Sequence, residues 1–134
     1  MSQENVEVVR QVYAEWEQGL MTAGVDLFDP KIVFESFMPD AAERIVANGA
    51  DEVEGFMREF LAQWRDFRLI GDEFRAVGKD KVFVVGRQTA IGRQSGVAVE
   101  LPICSVWTFS DARVVHLLFD LDPRRALEAV GLSE

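Results

Sequence analysis

The stretch from Val97 to Leu121 constrains this chain more than any other. Val97, Val99, Ile103, Val106, Trp107, Thr108 and Phe109 are β-branched or aromatic, and such side chains fit a pleated, half-buried surface. Ser110-Asp111-Ala112-Arg113 is turn chemistry, because Ser and Asp bond their own local backbone. A second strand follows from Val114 to Leu121. Strand alternation puts Val115, Leu117, Phe119 and Leu121 on one face and His116, Leu118 and Asp120 on the other. A hairpin alone is marginal in water, so this one requires further strands beside it and a cover over its apolar face.

The rest of the chain supplies both. Val6, Val9, Val12, Tyr13, Trp16 and Leu20 recur at helical spacing, with Ser2 as N-cap and an end near Gly19. Thr22 opens a short second helix carrying Val25, Leu27 and Phe28, which Asp29-Pro30 stops. Lys31 to Phe37 reads as a strand, with Ile32 and Phe34 on one face and Val33, Glu35 and Phe37 on the other. Met38 to Asn48 is interrupted by Pro39, and Ala41 to Val46 suits a helical turn. Asn48 or Gly49 opens a helix whose buried stripe is Val53, Phe56, Met57, Phe60 and Trp64. Strands follow over 67–77 and 81–92, joined by the turn Gly78-Lys79-Asp80. Pro102 marks a bulge or an unpaired position in the long strand. Asp122 caps a last helix with Pro123 at its first position; Ala126, Leu127 and Val130 face inward, and Gly131 ends it with Leu132 folding back.

This order predicts an α+β architecture, with helices on one face of a curved, mostly antiparallel sheet that wraps them into a cone. The length of 134 residues suits one domain over 1–134. A formal net charge of −9, with eleven scattered arginines, argues against nucleic acid and anionic membrane surfaces as partners. No apolar run is long enough to span a bilayer. The polar, acidic start Met1-Ser2-Gln3-Glu4-Asn5 lacks the basic and apolar regions of a signal peptide, which predicts a cytoplasmic protein. One cysteine, Cys104, and one histidine, His116, provide neither a disulfide nor a metal site, so no metal and no cofactor are expected. Cys104 reads as a buried, inert thiol, and Arg124-Arg125 as a solvated surface pair.

Candidate functional residues are of two kinds. Tyr13, Trp16, Phe37, Phe60, Trp64, Ser105 and Trp107 are the candidates to line a pocket for a small, mostly apolar molecule; plain core is the competing reading of the aromatic stripes. Glu35 is the candidate general base if its face of the first strand is buried; otherwise it is a strand-end carboxylate, exposed or paired with an arginine. Arg87 and Gln88 are alternative polar contacts, since only one of them can point inward. His116 and Asp120 lie about 13 Å apart along an extended strand, too far for a dyad.

Glu4 to Arg10 with Tyr13 and Trp16, Phe28-Asp29-Pro30, Gly49 before the Trp64-bearing helix, Ser95-Gly96-Val97, Val106-Trp107-Thr108 and Ala126 to Leu132 together resemble the nuclear transport factor 2-like superfamily. Within it the chain looks most like SnoaL-like, polyketide cyclase-like proteins. The resemblance implies the cystatin-like cone with an internal cavity, and a homodimer through the outer sheet face. It places Glu35 at the base position of the ketosteroid isomerases, whose tyrosine position falls at Val12, beside Tyr13. Their protonated aspartate falls at Cys104 or Ser105, and the cyclase His and Asp positions fall at Leu117 and Phe119. Three readings stay open: a binding protein for an apolar molecule; an isomerase- or cyclase-type enzyme in which Glu35 takes a proton beside a carbonyl and Tyr13 or Ser105 holds the enolate; and an interaction domain with a filled interior and a partner surface around Leu118.

Overall fold

A computed structural model describes residues 2–37, 44–129 and 131. The expectations for residues 38–43, Val130 and Leu132, and for the capping side chain of Ser2, lie outside the described residues.

The apolar spacing of the first segment forms α1 (Ser2–Glu17), which buries Val6, Val9, Val12, Tyr13 and Trp16. The expected second helix shrinks to one 3-10 turn (Val25–Leu27), and Phe28 already begins β1 (Phe28–Ser36). Pro30 is tolerated inside β1 because the pairing register shifts between Phe28 and Val33. Ile45–Asn48, expected in part as a helical turn, is instead a strand, β2, antiparallel to β1. Helix α2 (Ala50–Leu61) starts after Gly49, whose φ of 92° suits glycine, and Glu52 accepts the backbone N–H of Asn48 at 2.9 Å.

Trp64 was expected on α2 but is the first residue of β3 (Trp64–Val77). The reason is tertiary. Arg93, in the turn after β4 (Lys81–Gly92), donates side-chain hydrogen bonds to the carbonyls of Ala62 (2.9 Å) and Trp64 (3.0 Å), and its N–H reaches the Gln63 carbonyl (3.1 Å). These contacts satisfy helix-end carbonyls from a segment about thirty residues away and stop the helix early.

The long hairpin forms as β5 (Ala98–Ser110) and β6 (Arg113–Asp120), with α3 (Pro123–Ala129) after it. Pairing runs through Arg87↔Pro102 without a bulge, and β6 flanks β5 only from Cys104 onward, so Pro102 sits where β4 is the single neighbour. The hairpin itself has a bulge between Thr108 and Phe109 that displaces Val115, so Val114, not Val115, joins the core beside Leu117 and Phe119. The six-stranded sheet runs β2-β1-β6-β5-β4-β3, with β1–β6 as its parallel pair. The chain therefore crosses from one sheet edge, β2, to the other, β3, through α2.

The sheet buries both faces. Val82, Val84, Trp107 and Leu117 pack with α1 and Val53 of α2 in one cluster; their neighbours Phe83, Val106 and Leu118, with Cys104, pack with Ala126 and Leu127 of α3 in another. Period-two alternation turns one strand sequence into two cores. The expectation of all helices on one face is corrected: α3 covers part of the outer face, and Leu118, expected as a partner surface, is fully buried beneath it. Curvature is built into β3. A register shift between Gly71 and Glu73 brings Phe67, Leu69 and Phe74 to the same inner cluster despite their odd spacing. A Cβ on Gly86 would lie 2.0 Å from the Ile70 carbonyl oxygen, and the Phe74 ring occupies the space above Gly71. The α+β cone predicted from sequence is the fold observed, with three α-helices among the described residues and a curled, mostly antiparallel sheet.

Candidate functional site

Between α2, the 3-10 turn and the inner sheet face lies a pocket of about 1060 Å³. Helix α2 contributes Val53, Phe56, Met57 and Phe60; β1 contributes Phe34 and Ser36; β6 contributes Leu117 and Phe119. Among the described residues, nine aromatic rings touch the space, against two charged side chains, Glu54 and Arg58. Those two are exposed and bridge each other at 3.2 Å, so the charges stand at the rim and the wall is apolar. Edge-to-face and tilted contacts fix the rings: Phe34–Phe56 at 5.4 Å, Phe34–Phe119 at 5.8 Å and Phe60–Phe67 at 5.2 Å between centroids.

Four of the seven expected lining residues touch this space: Trp16, Phe37, Phe60 and Trp64. The Trp16 indole N–H donates to the Ala23 carbonyl at 3.0 Å, which holds the ring against the turn. Trp64 contributes a buried indole N–H with no hydrogen-bond partner among the described residues. The other three, Tyr13, Ser105 and Trp107, do not line the pocket. They form a closed network behind it: the Tyr13 and Ser105 hydroxyls are 2.7 Å apart, and the Trp107 indole N–H donates to Ser105 Oγ at 3.0 Å. Burial pushes the Tyr13 phenol well above its ordinary value, and the bonds to Ser105 and Trp107 offset only part of that. These polar groups are already satisfied by one another.

Glu35 requires the larger correction. The face of β1 that turns inward carries Ile32, Phe34 and Ser36, so Glu35 points to the outer face and is absent from the pocket wall. There His116 Nε2 lies 2.6 Å from Glu35 Oε2, and the Arg44 guanidinium bridges Glu35 Oε1. The parallel register Val33↔His116 and Glu35↔Leu118 makes Glu35 and His116 diagonal neighbours. Parity was legible in the sequence; which parity faced inward was not.

Asp120 and Arg125 form a pair that sequence reasoning missed. Asp120 is fully buried, and Arg125 clasps it with Nε to Oδ2 at 2.8 Å and Nη2 to Oδ1 at 2.7 Å. The Asp122 N–H also donates to Asp120 at 3.0 Å. The guanidinium, half exposed, also stands 4.4 Å from the Phe37 ring centroid, so this surface charge is tied to the sheet rather than free. Its bond to Asp120 raises the pKa of Arg125 further. The spacing of five residues across a helix start was the available signal. Beside the pair, Cys104 donates to the Asp120 carbonyl at 3.1 Å, and burial, then the Asp120 and Asp122 charges, push its thiol up to about 12. No group of His, Cys, Asp and Glu able to hold a metal occurs among the described residues, and no helix among them is long and apolar enough to cross a membrane.

The fold is that of a nuclear transport factor 2-like protein of unknown function from Burkholderia pseudomallei (22% identity, TM-score 0.73, covering 95% of this chain and 97% of that one). It is also that of a protein with a ketosteroid isomerase-like fold from Catenulispora acidiphila, solved with trimethylamine (14% identity, TM-score 0.70, covering 94% and 93%). A third similar structure is TerC co-crystallised with polyporic acid (19% identity, TM-score 0.72, covering 88% and 91%). No curated protein sequence matches the chain. The family model of the SnoaL-like domain matches residues 9–117, from within α1 into β6, and the chain belongs to that family.

Proposed function

We propose that this chain, as one domain over 1–134, binds a small, mostly apolar molecule in the pocket between α2 and the inner sheet face. The observation that carries the reading is the wall itself: a hollow of about 1060 Å³ faced by nine aromatic rings, with its two charges paired at the rim. A volume of this order suits a small organic ligand. Two similar structures hold small molecules, which agrees with the reading. A base acting on a carbonyl has to reach its substrate, and Glu35 is on the other side of the sheet, so the binding reading is favoured over the isomerase reading. The reading includes a cytoplasmic homodimer across the outer sheet face. The partner would meet the part that α3 leaves open, around Val85 and Pro102.

The test uses N-phenyl-1-naphthylamine, a neutral probe that brightens in apolar surroundings. Wild-type protein is expected to bind it saturably, and Met57→Trp, which fills the hollow from α2, to weaken binding at least about tenfold with an unchanged far-UV spectrum. Absence of saturable binding, or equal binding by the filled variant, would overturn the reading. A native mass showing only monomer would remove the dimer.

A further inference from the structure

We infer that the pocket selects an uncharged ligand carrying a carbonyl or hydroxyl group, and that Gln88 is the side chain that reads it. The inference rests on the pocket-binding reading and sharpens it.

Among the described residues of the inner wall, the Trp16 indole N–H is spent on the Ala23 carbonyl and the Trp64 indole N–H is itself sealed from the space; Thr22, Glu54, Arg58 and Gln63 are exposed, which leaves Ser36 and Gln88 as the other polar side chains. Ser36 is buried and has an interaction of its own. Gln88 is different. Its place opposite Leu69 and Leu101 fixes it on the inner face, half-buried between two apolar neighbours that also line the pocket. Its amide has no hydrogen-bond partner among the described residues, and it is not sealed from the hollow. One amide offers a donor pair and an acceptor, so it can serve either a carbonyl or a hydroxyl. Arg87, the alternative, points to the outer face and bonds Asp72 at 3.3 Å. Charge on the ligand is disfavoured because no described residue inside can compensate it: the rim pair Glu54–Arg58 is self-neutralised, Glu35 and His116 face outward, and Asp120 is held by Arg125. Desolvating an ion in such a site goes unrewarded, whereas one neutral polar group finds the waiting amide.

Three probes of one shape separate the possibilities: fluorene, 9-fluorenone and fluorene-9-carboxylate. Trp16 and Trp64 line the pocket, so quenching of tryptophan fluorescence reports binding. Wild-type protein should bind the ketone about three- to tenfold more tightly than the hydrocarbon, the worth of one neutral hydrogen bond. The carboxylate should bind at least about tenfold more weakly than the ketone. Gln88→Leu should erase the ketone preference, read as the ratio of ketone to fluorene affinity. Gln88→Glu is a second variant, expected to lose the ketone preference while remaining folded. If fluorene binds but the ketone has no advantage, or the advantage survives Gln88→Leu, the role of Gln88 is overturned and pocket binding stands. A carboxylate as tight as the ketone overturns the charge selection. If none of the three binds, the pocket reading itself falls.

Discussion

Arg125→Ala should be among the most destabilising single changes on the surface of this protein. Asp120 is fully buried, yet its partner is half exposed, with a side-chain exposure of 51%. The change removes two short charge-assisted bonds, at 2.8 and 2.7 Å, and the contact with the Phe37 ring. It leaves a buried carboxylate with the Asp122 N–H as its remaining donor among the described residues. Breaking a fully buried pair costs about 3–5 kcal/mol, and hydrogen bonds to charged groups contribute about 1.5–3 kcal/mol. Because Arg125 is half exposed, water can enter the vacated place, so about 2–3 kcal/mol is the reasoned loss. With an unfolding entropy near 2.1 cal/mol/K per residue over 134 residues, that lowers Tm by about 9 °C. The assay is urea unfolding followed by tryptophan fluorescence, on wild type, Arg125→Ala, Asp120→Asn and the double variant. The m-value should hold while the midpoint falls. The coupling between the two sites should be about 1.5–3 kcal/mol, with the double variant recovering part of the loss. A single-variant loss below about 0.5 kcal/mol, or no coupling, would refute the argument that this pair docks α3 on the sheet.

Other outcomes follow from the same geometry. In the β5–β6 turn, Asp111 (φ 51°) and Ala112 (φ 66°) are both left-handed, so Ala112→Gly should raise stability by about 1 kcal/mol in the same urea assay. Glu35→Gln should leave probe affinity in the pocket unchanged within about twofold, because the carboxylate faces the opposite side of the sheet; a loss of binding would contradict that placement. Cys104 should resist alkylation in the native state at pH 8 and react on denaturation. Its thiol and the Tyr13 phenol both hold their protons more tightly when folded. As pH rises above the ordinary cysteine value of 9.0, the unfolded chain loses a proton that the native chain keeps, so stability should fall. The slope should approach about 1.4 kcal/mol per pH unit for each group engaged, and a flat profile from pH 9 to 11 would contradict it.

Strand alternation and helical spacing are local properties, and they were readable in the chain. The apolar recurrence of Val6 to Trp16 gives α1, the β-rich run around Trp107 gives the long hairpin, and together they imply a covered, curved sheet. The same residues name the aromatic character of the interior, and Trp16, Phe60 and Trp64 reached the pocket wall. Which face of each strand turns inward is settled by partners far along the chain. Ile32 and Phe34 win the interior against Val33 and Glu35 because α1 and α2 cover that side, and this alone moves the acid from the hollow to a His116–Arg44 cluster. Bulges at Thr108/Phe109 and Gly71/Glu73 change parity within a strand, so a count of two along the sequence fails past each of them. The end of α2 is set by Arg93 and the fate of Arg125 by Asp120, through hydrogen bonds that no window of sequence contains. Periodicity belongs to the backbone and is written residue by residue; orientation, termination and charge pairing are contests between distant groups for the same buried space, and only the folded chain decides them.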